Sequence, residues 1–209
     1  ENSKDFECDV NRLIAENMRN HRRVLFNGNG YSEEWKREAA RRGLPNLPNM
    51  VAAIPALTTE KTVEMFEKFG VFTKAELESR SEVLYETYAK TTAIEARTML
   101  HMAGKHYIPA VVRYTARLAD SICKVRTACP EADTSTQEEL LKMTSSLLAQ
   151  ASAAEKHLNE AVQQMNDIEC VREMATFCRD EIVPAMRALR TPITYLPAGT
   201  TNDFAQTLG

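Results

Sequence analysis

The residues best placed to do chemistry lie in "RVLFNGNGYSEEW", Arg23 to Trp35. Gly28 and Gly30 alternate with Asn27 and Asn29, the apolar triplet Val24, Leu25, Phe26 leads in, and Ser32 with Glu33 and Glu34 leads out. A phosphate cradle of the dinucleotide type needs Gly-x-Gly-x-x-Gly between a strand and a helix, and a P-loop needs a Gly-Lys-Ser/Thr ending. Neither is present. Glu33 and Glu34 would also oppose an anion at the first helical turn. The stretch therefore predicts a turn, built from residues that tolerate positive φ, followed by a helix that Ser32 caps.

The other chemical residue types are scattered. A di-iron bundle would need Glu-x-x-His pairs, but Met18, Thr98, Ala103 and Ala154 stand three before His21, His101, His106 and His157. Cys8, Cys123, Cys129, Cys170 and Cys178 are odd in number and never spaced Cys-x-x-Cys, which argues against a zinc site and a disulfide framework. No Gly-x-Ser-x-Gly elbow occurs. Tyr85, Tyr88, Tyr107 and Tyr114 fall at helical spacings that indicate core or interface. The sequence assigns no catalytic, cofactor-binding or metal-ligating residue.

A net charge of -3 over 209 residues, with 26% charged, gives no basic excess for nucleic acid, and of the two basic runs the one near Arg41 is interleaved with Glu33, Glu34 and Glu38. No apolar run approaches the ~20 residues of a membrane span, and the polar start lacks a signal-peptide core. Cysteine usage points to a reducing cytoplasm. A chain that starts at Glu1 without methionine reads as a fragment.

What would position these residues is almost entirely helical, because apolar residues recur at three and four rather than two. Phe6, Val10, Leu13, Ile14 and Met18 predict a first amphipathic helix to about His21. "RVLF" is open between a strand and an extended lead. Gly43 and Gly70 are helix stops, and Thr73 with Glu76 has the form of a capping box before a long helix to about Ala103. Gly104 marks a break, Pro109 suits the first turn of a new helix, and Pro130 lies beyond its end. From Ser135, Leu140, Leu147, Ala154 and Ala161 fall at one heptad position, and Thr144, Ala151, Leu158 and Met165 at the other. Val171, Ala175, Cys178, Ile182, Ala185 and Leu189 continue the alternation. This predicts an all-α helical bundle with a long antiparallel, coiled-coil-like hairpin, long enough to project from the body. The organisation expected is a helical body over 1-134, the hairpin over 135-190 and an irregular tail over 191-209.

"FNGNGYSEEWKREAARRGLPN", "FEKFGVFTKAELESRSEVLYETYAKTTAIEARTMLHMA" and "IPAVVRY", in this order, resemble the C-terminal region of the type III glutamine synthetases over about residues 1-190. The resemblance implies a parent that joins glutamate and ammonia with ATP through a γ-glutamyl phosphate, using two divalent ions (magnesium or manganese). Those elements precede the region matched, so no position here inherits a catalytic role. The chain is expected to be inactive alone and to serve assembly or regulation, its partners being the remaining catalytic domain and other subunits of a homo-oligomer. The alternative is a stand-alone helical interaction module. The end departs from the family: "PAGTTNDFA", Pro197 to Ala205, resembles a motif of diacylglycerol kinase-like lipid kinases, without that domain's upstream Gly-Gly-Asp-Gly segment. A join of two reading frames or a cloning artefact is the expectation for this tail.

Overall fold

The computed structural model describes residues 5–197 and Thr200, the side chain of Val24 excepted. Most of the "PAGTTNDFA" motif lies outside the described residues. Helices account for the architecture, and there is no strand among the described residues. The chain divides into two compact units, residues 1–49 and residues 50–209.

The first unit holds α1 (Phe6–Asn20), a 3-10 turn at Arg22–Val24 and α2 (Glu33–Arg41). "RVLF" thus forms a turn followed by extended backbone at Leu25. Ser32 caps α2 as its type and place predict, its Oγ accepting from the Trp35 N–H at 3.2 Å. Gly43 ends α2 at φ +66° in a Schellman arrangement: its N–H reaches the Ala40 carbonyl, and the Leu44 N–H reaches that of Ala39.

The second unit begins with α3 (Met50–Ala53), a 3-10 segment Ile54–Thr58 and α4 (Glu60–Lys68). Gly70, at φ +64°, closes α4 by the same pair of backbone bonds, from Gly70 to Glu67 and from Val71 to Phe66. The Thr73–Glu76 capping box is complete and opens α5 (Lys74–Met102).

The break expected at Gly104 does not occur. A π-helical segment, Ala103–Tyr107, carries α5 directly into α6 (Ile108–Ala128), so that 74–128 is one continuous rod. The same device joins α8 (Val171–Phe177) through Cys178–Ile182 to α9 (Val183–Thr194). In both places a proline, Pro109 or Pro184, is the second residue after the π segment. A proline in a regular helix lacks the donor for residue i−4 and presses its ring on that carbonyl. Widening the turn to i→i+5 bonds, here Ile108 to Ala103 and Val183 to Cys178, moves that carbonyl away and lets the helix continue. Pro109 is an N-terminal helix signal by type, and the π turn is the reason it starts nothing.

Between the rods lies α7 (Ser135–Met165). It packs antiparallel against both α6 and α9, while α8 lies on α5. The hairpin therefore lies along the rod instead of projecting from it. Thr144, Ala151, Leu158 and Met165 are buried on one side of α7, and Ala175, Cys178, Ile182, Ala185 and Leu189 face inward from α8–α9. Tyr85, Ala89, Ala93 and Ala96 of α5 complete the cluster. The small residues set close helix approach; at Gly104 a β-carbon would stand 2.9 Å from Glu155 Oε1 of α7. Two polar ties hold the turns. Thr134 accepts from Arg126 Nε and donates to Glu138, which also pairs with Arg126. Arg97 donates to Asn166 Oδ1 at 2.9 Å. The helix also passes Arg190, where the irregular tail was expected, and runs through a buried Pro192 to Thr194.

Candidate functional site

Within the Arg23–Trp35 stretch the amides of Tyr31 and Ser32 bond back into the turn. Asn29 Oδ1 accepts from the Tyr31 N–H at 3.0 Å, and the Asn29 carbonyl accepts from the Ser32 N–H and, at 2.8 Å, from the Ser32 hydroxyl. Donors spent on their own turn are not available to cradle a phosphate. Neither Gly28 nor Gly30 has positive φ; the left-handed glycines among the described residues are Gly43 and Gly70. Gly28 has a different task. A β-carbon there would come within 2.8 Å of the Phe26 ring, which stacks on Trp35 with centroids 4.5 Å apart. Arg42 completes this cluster, lying over Trp35 and donating to the carbonyls of Arg23 and Leu25. Arg23 in turn donates to the Gly43 carbonyl at 2.8 Å. The loop is thus fastened to both ends of α2.

The strongest electrostatic perturbation belongs to this fastening. Hydrogen bonds from Arg41, and then from Arg42, hold the Glu38 carboxyl down at about 2. Glu38 is thereby fixed as an anion whose charge is matched by its own helix. This is the signature of a structural clamp; a general acid would need the opposite shift.

Other candidate groups remain apart. His101 and His106 come to 6.1 Å between ring centroids across the π segment. Among the described residues no three of His, Cys, Asp and Glu converge as a metal-holding group. Cys8, Cys123, Cys129 and Cys170 are exposed and Cys178 is buried. Burial pushes the Cys178 thiol up to about 11, and its Sγ lies 3.4 Å from Met165 Sδ. A thiol held protonated among apolar neighbours is a packing group and a poor nucleophile.

A concavity of about 730 Å³ runs between α5, the π segment and α9. Ile94, Met99, Met102, Tyr107, Met186 and Ile193 line it, with Glu95 and Arg190 among its polar members. Its flexible thioethers and aliphatic side chains suit apolar contact. Sequence periodicity did not reveal this groove. Its walls come from helices far apart in the chain, and residues such as Ile94 look like ordinary members of an amphipathic helix.

The described residues therefore offer packing surfaces and clamps, and the wording of the sequence identifies the family. The sequence model of the glutamine synthetase C-terminal domain matches residues 9–126. A glutamine synthetase of Butyrivibrio fibrisolvens is 32% identical over 181 residues, covering 87% of this chain and 26% of the relative. The type-3 glutamine synthetase of Dictyostelium discoideum is 30% identical over 188 residues, 86% of this chain and 25% of the relative. A glutamine synthetase of Bacteroides fragilis is 30% identical over 189 residues, 88% and 26% respectively. The chain spans about a quarter of the length of the relatives it matches. No helix among the described residues is long and apolar enough to cross a membrane. With more than half of its residues matched by that model, the chain belongs to the glutamine synthetase C-terminal domain family.

Proposed function

We propose that this chain is the helical C-terminal part of a cytoplasmic, ATP-dependent glutamate–ammonia ligase of the type III class, and that it serves assembly or regulation. The carrying observation is that the matched family is a C-terminal domain and the matched segment is a quarter of each relative's length. On this reading ATP, divalent ions, glutamate and ammonia belong to the preceding catalytic portion, and other subunits of a homo-oligomer are partners. No step of the reaction is routed through this chain's residues.

A second reading, a stand-alone interaction module, is favoured by the buried apolar cluster that runs from Val51 to Leu189. The diacylglycerol kinase-like wording of the tail adds no lipid-kinase activity to either reading. The experiment is a γ-glutamyl transfer assay with magnesium or manganese, run on the 209-residue chain and on the natural polypeptide that carries it. The expected outcome is turnover by the longer polypeptide and none by the chain. Glutamine formation by the chain alone, or a natural polypeptide with no catalytic portion, would overturn the first reading.

A further inference from the structure

α1 is a helix whose apolar face has no cover. Phe6, Leu13, Ile14 and Met18 are 72%, 60%, 52% and 53% exposed, and the helix buries none of its residues. At 100° per residue these four and Val10 share one side, while Asp9, Arg12, Glu16 and Arg19 lie opposite. An isolated helix of 15 residues is marginal in water, and most helical stability comes from packing such a face. The first unit does not supply the missing contact, since Ala39 is its sole buried residue among those described.

Two considerations select what covers the face. A 15-residue helix is ~22 Å long and its face ~10 Å wide, which falls well short of the ~800 Å² per partner of a stable free interface. Self-association through this face alone is therefore disfavoured. A tethered partner needs less area, because a short connection replaces a bimolecular encounter by a high effective concentration. The relatives carry such a partner: three quarters of their length lies outside the matched segment, and the family is a C-terminal domain, so that length precedes it and leads into α1.

We infer that the face formed by Phe6, Val10, Leu13, Ile14 and Met18 is the docking surface for the catalytic portion that precedes it in the same polypeptide. This rests on the function proposed above. The docking makes α1 the mechanical link between the chemistry and the helical bundle.

Hydrogen exchange and thermal unfolding test it on the 209-residue chain and on the natural polypeptide that carries it, with glutamine synthesis measured on the same samples. Amides of residues 6–20 should exchange at least about 100-fold more slowly in the longer polypeptide. Leu13→Asp and Ile14→Asp should lower the melting temperature of the longer polypeptide and leave that of the chain unchanged, whereas Glu16→Lys on the opposite face should change neither. Equal protection of α1 in both proteins overturns the inference, as does equal destabilisation of both by Leu13→Asp. A dimer of the 209-residue chain that Leu13→Asp dissociates overturns it in favour of a second copy. Glutamine synthesis without α1 protection removes the docking surface alone; α1 protection in a polypeptide that makes no glutamine removes the functional reading and keeps the surface.

Discussion

Residues 50–197 and residues 5–49 are both largely helical, yet they are held by different physics. The larger unit is organised by apolar burial: Leu158, Cys178, Ile182 and Leu189 are fully enclosed along a seam of alanines. The smaller is organised by directional contacts, namely a serine cap, a glycine stop, one aromatic stack and guanidinium bonds to carbonyls and to Glu38. Burial gives a cooperative body, whereas caps and staples fix a shape without contributing much stability. A segment with a defined shape and no core is suited to being completed by something else. That contrast can be tested because Trp35 is the sole tryptophan in the sequence and reports on the smaller unit.

The largest effect is expected from Ile182→Asp, which places an unpaired charge in the seam and should cost ~3–5 kcal/mol in chemical unfolding followed by circular dichroism. Leu147→Asp, at a half-buried position, should cost less. The contrast is sharpened if Trp35 fluorescence is unchanged in Ile182→Asp under conditions that unfold the bundle, and broken if both signals are lost together. At the next level, Gly70→Ala should cost ~1 kcal/mol because its φ is +64°, and Gly30→Ala close to nothing, having no neighbour within 4 Å. Equal effects of these two substitutions would remove the distinction between left-handed stops and ordinary loop glycines.

Ser32→Ala should cost ~1 kcal/mol of local stability in the smaller unit, read as faster exchange of the Trp35 amide, with the bundle's unfolding unaffected. The smallest effect is electrostatic. Glu38 has its carboxyl held at about 2 against an ordinary 4.5, so its contribution is fully present above pH ~4.5 and is lost as pH falls towards ~2. Glu38→Gln should therefore differ from wild type at pH 6 in Trp35 fluorescence, and the difference should shrink as pH falls from ~4.5 towards 2. Because the side chain is 22% exposed and solvent screens it, the change should be modest.

The sequence disclosed what is local. Ser32, the Thr73–Glu76 box, Gly43 and Gly70 act through backbone groups a few residues away, so their types and spacings sufficed. The heptad positions of α7 were legible for the same reason, and Thr144 through Met165 occupy the buried side as spaced. What was not legible depends on partners distant in the chain. The hairpin's seam was visible, but α7 also packs on α6, so a hairpin long enough to project does not. Gly104 and Pro109 carry the marks of a helix end and a helix start, and nothing local distinguishes that pair from a π turn in a continuous rod. The amphipathic pattern of α1 was plain, although pattern alone cannot name the surface it meets. No catalytic residue was assigned from sequence, and the groove between α5 and α9 escaped notice because its walls are assembled from 94–107 and 186–196.

The two π turns have a consequence for how this chain tolerates insertion and deletion. Each holds one residue more than a regular α turn would, and one residue corresponds to ~100° of rotation about the helix axis. Deleting a single residue within 103–107 would regularise the helix and leave Ala110, Val111 and Ile122 close to their buried positions, whereas a deletion in the regular turns of α5 would swing everything after it by about that angle. This short segment is therefore a place where the rod can lose a residue without losing the phase of α6. A relative that drops the extra residue can keep the seam, provided Pro109 is replaced as well.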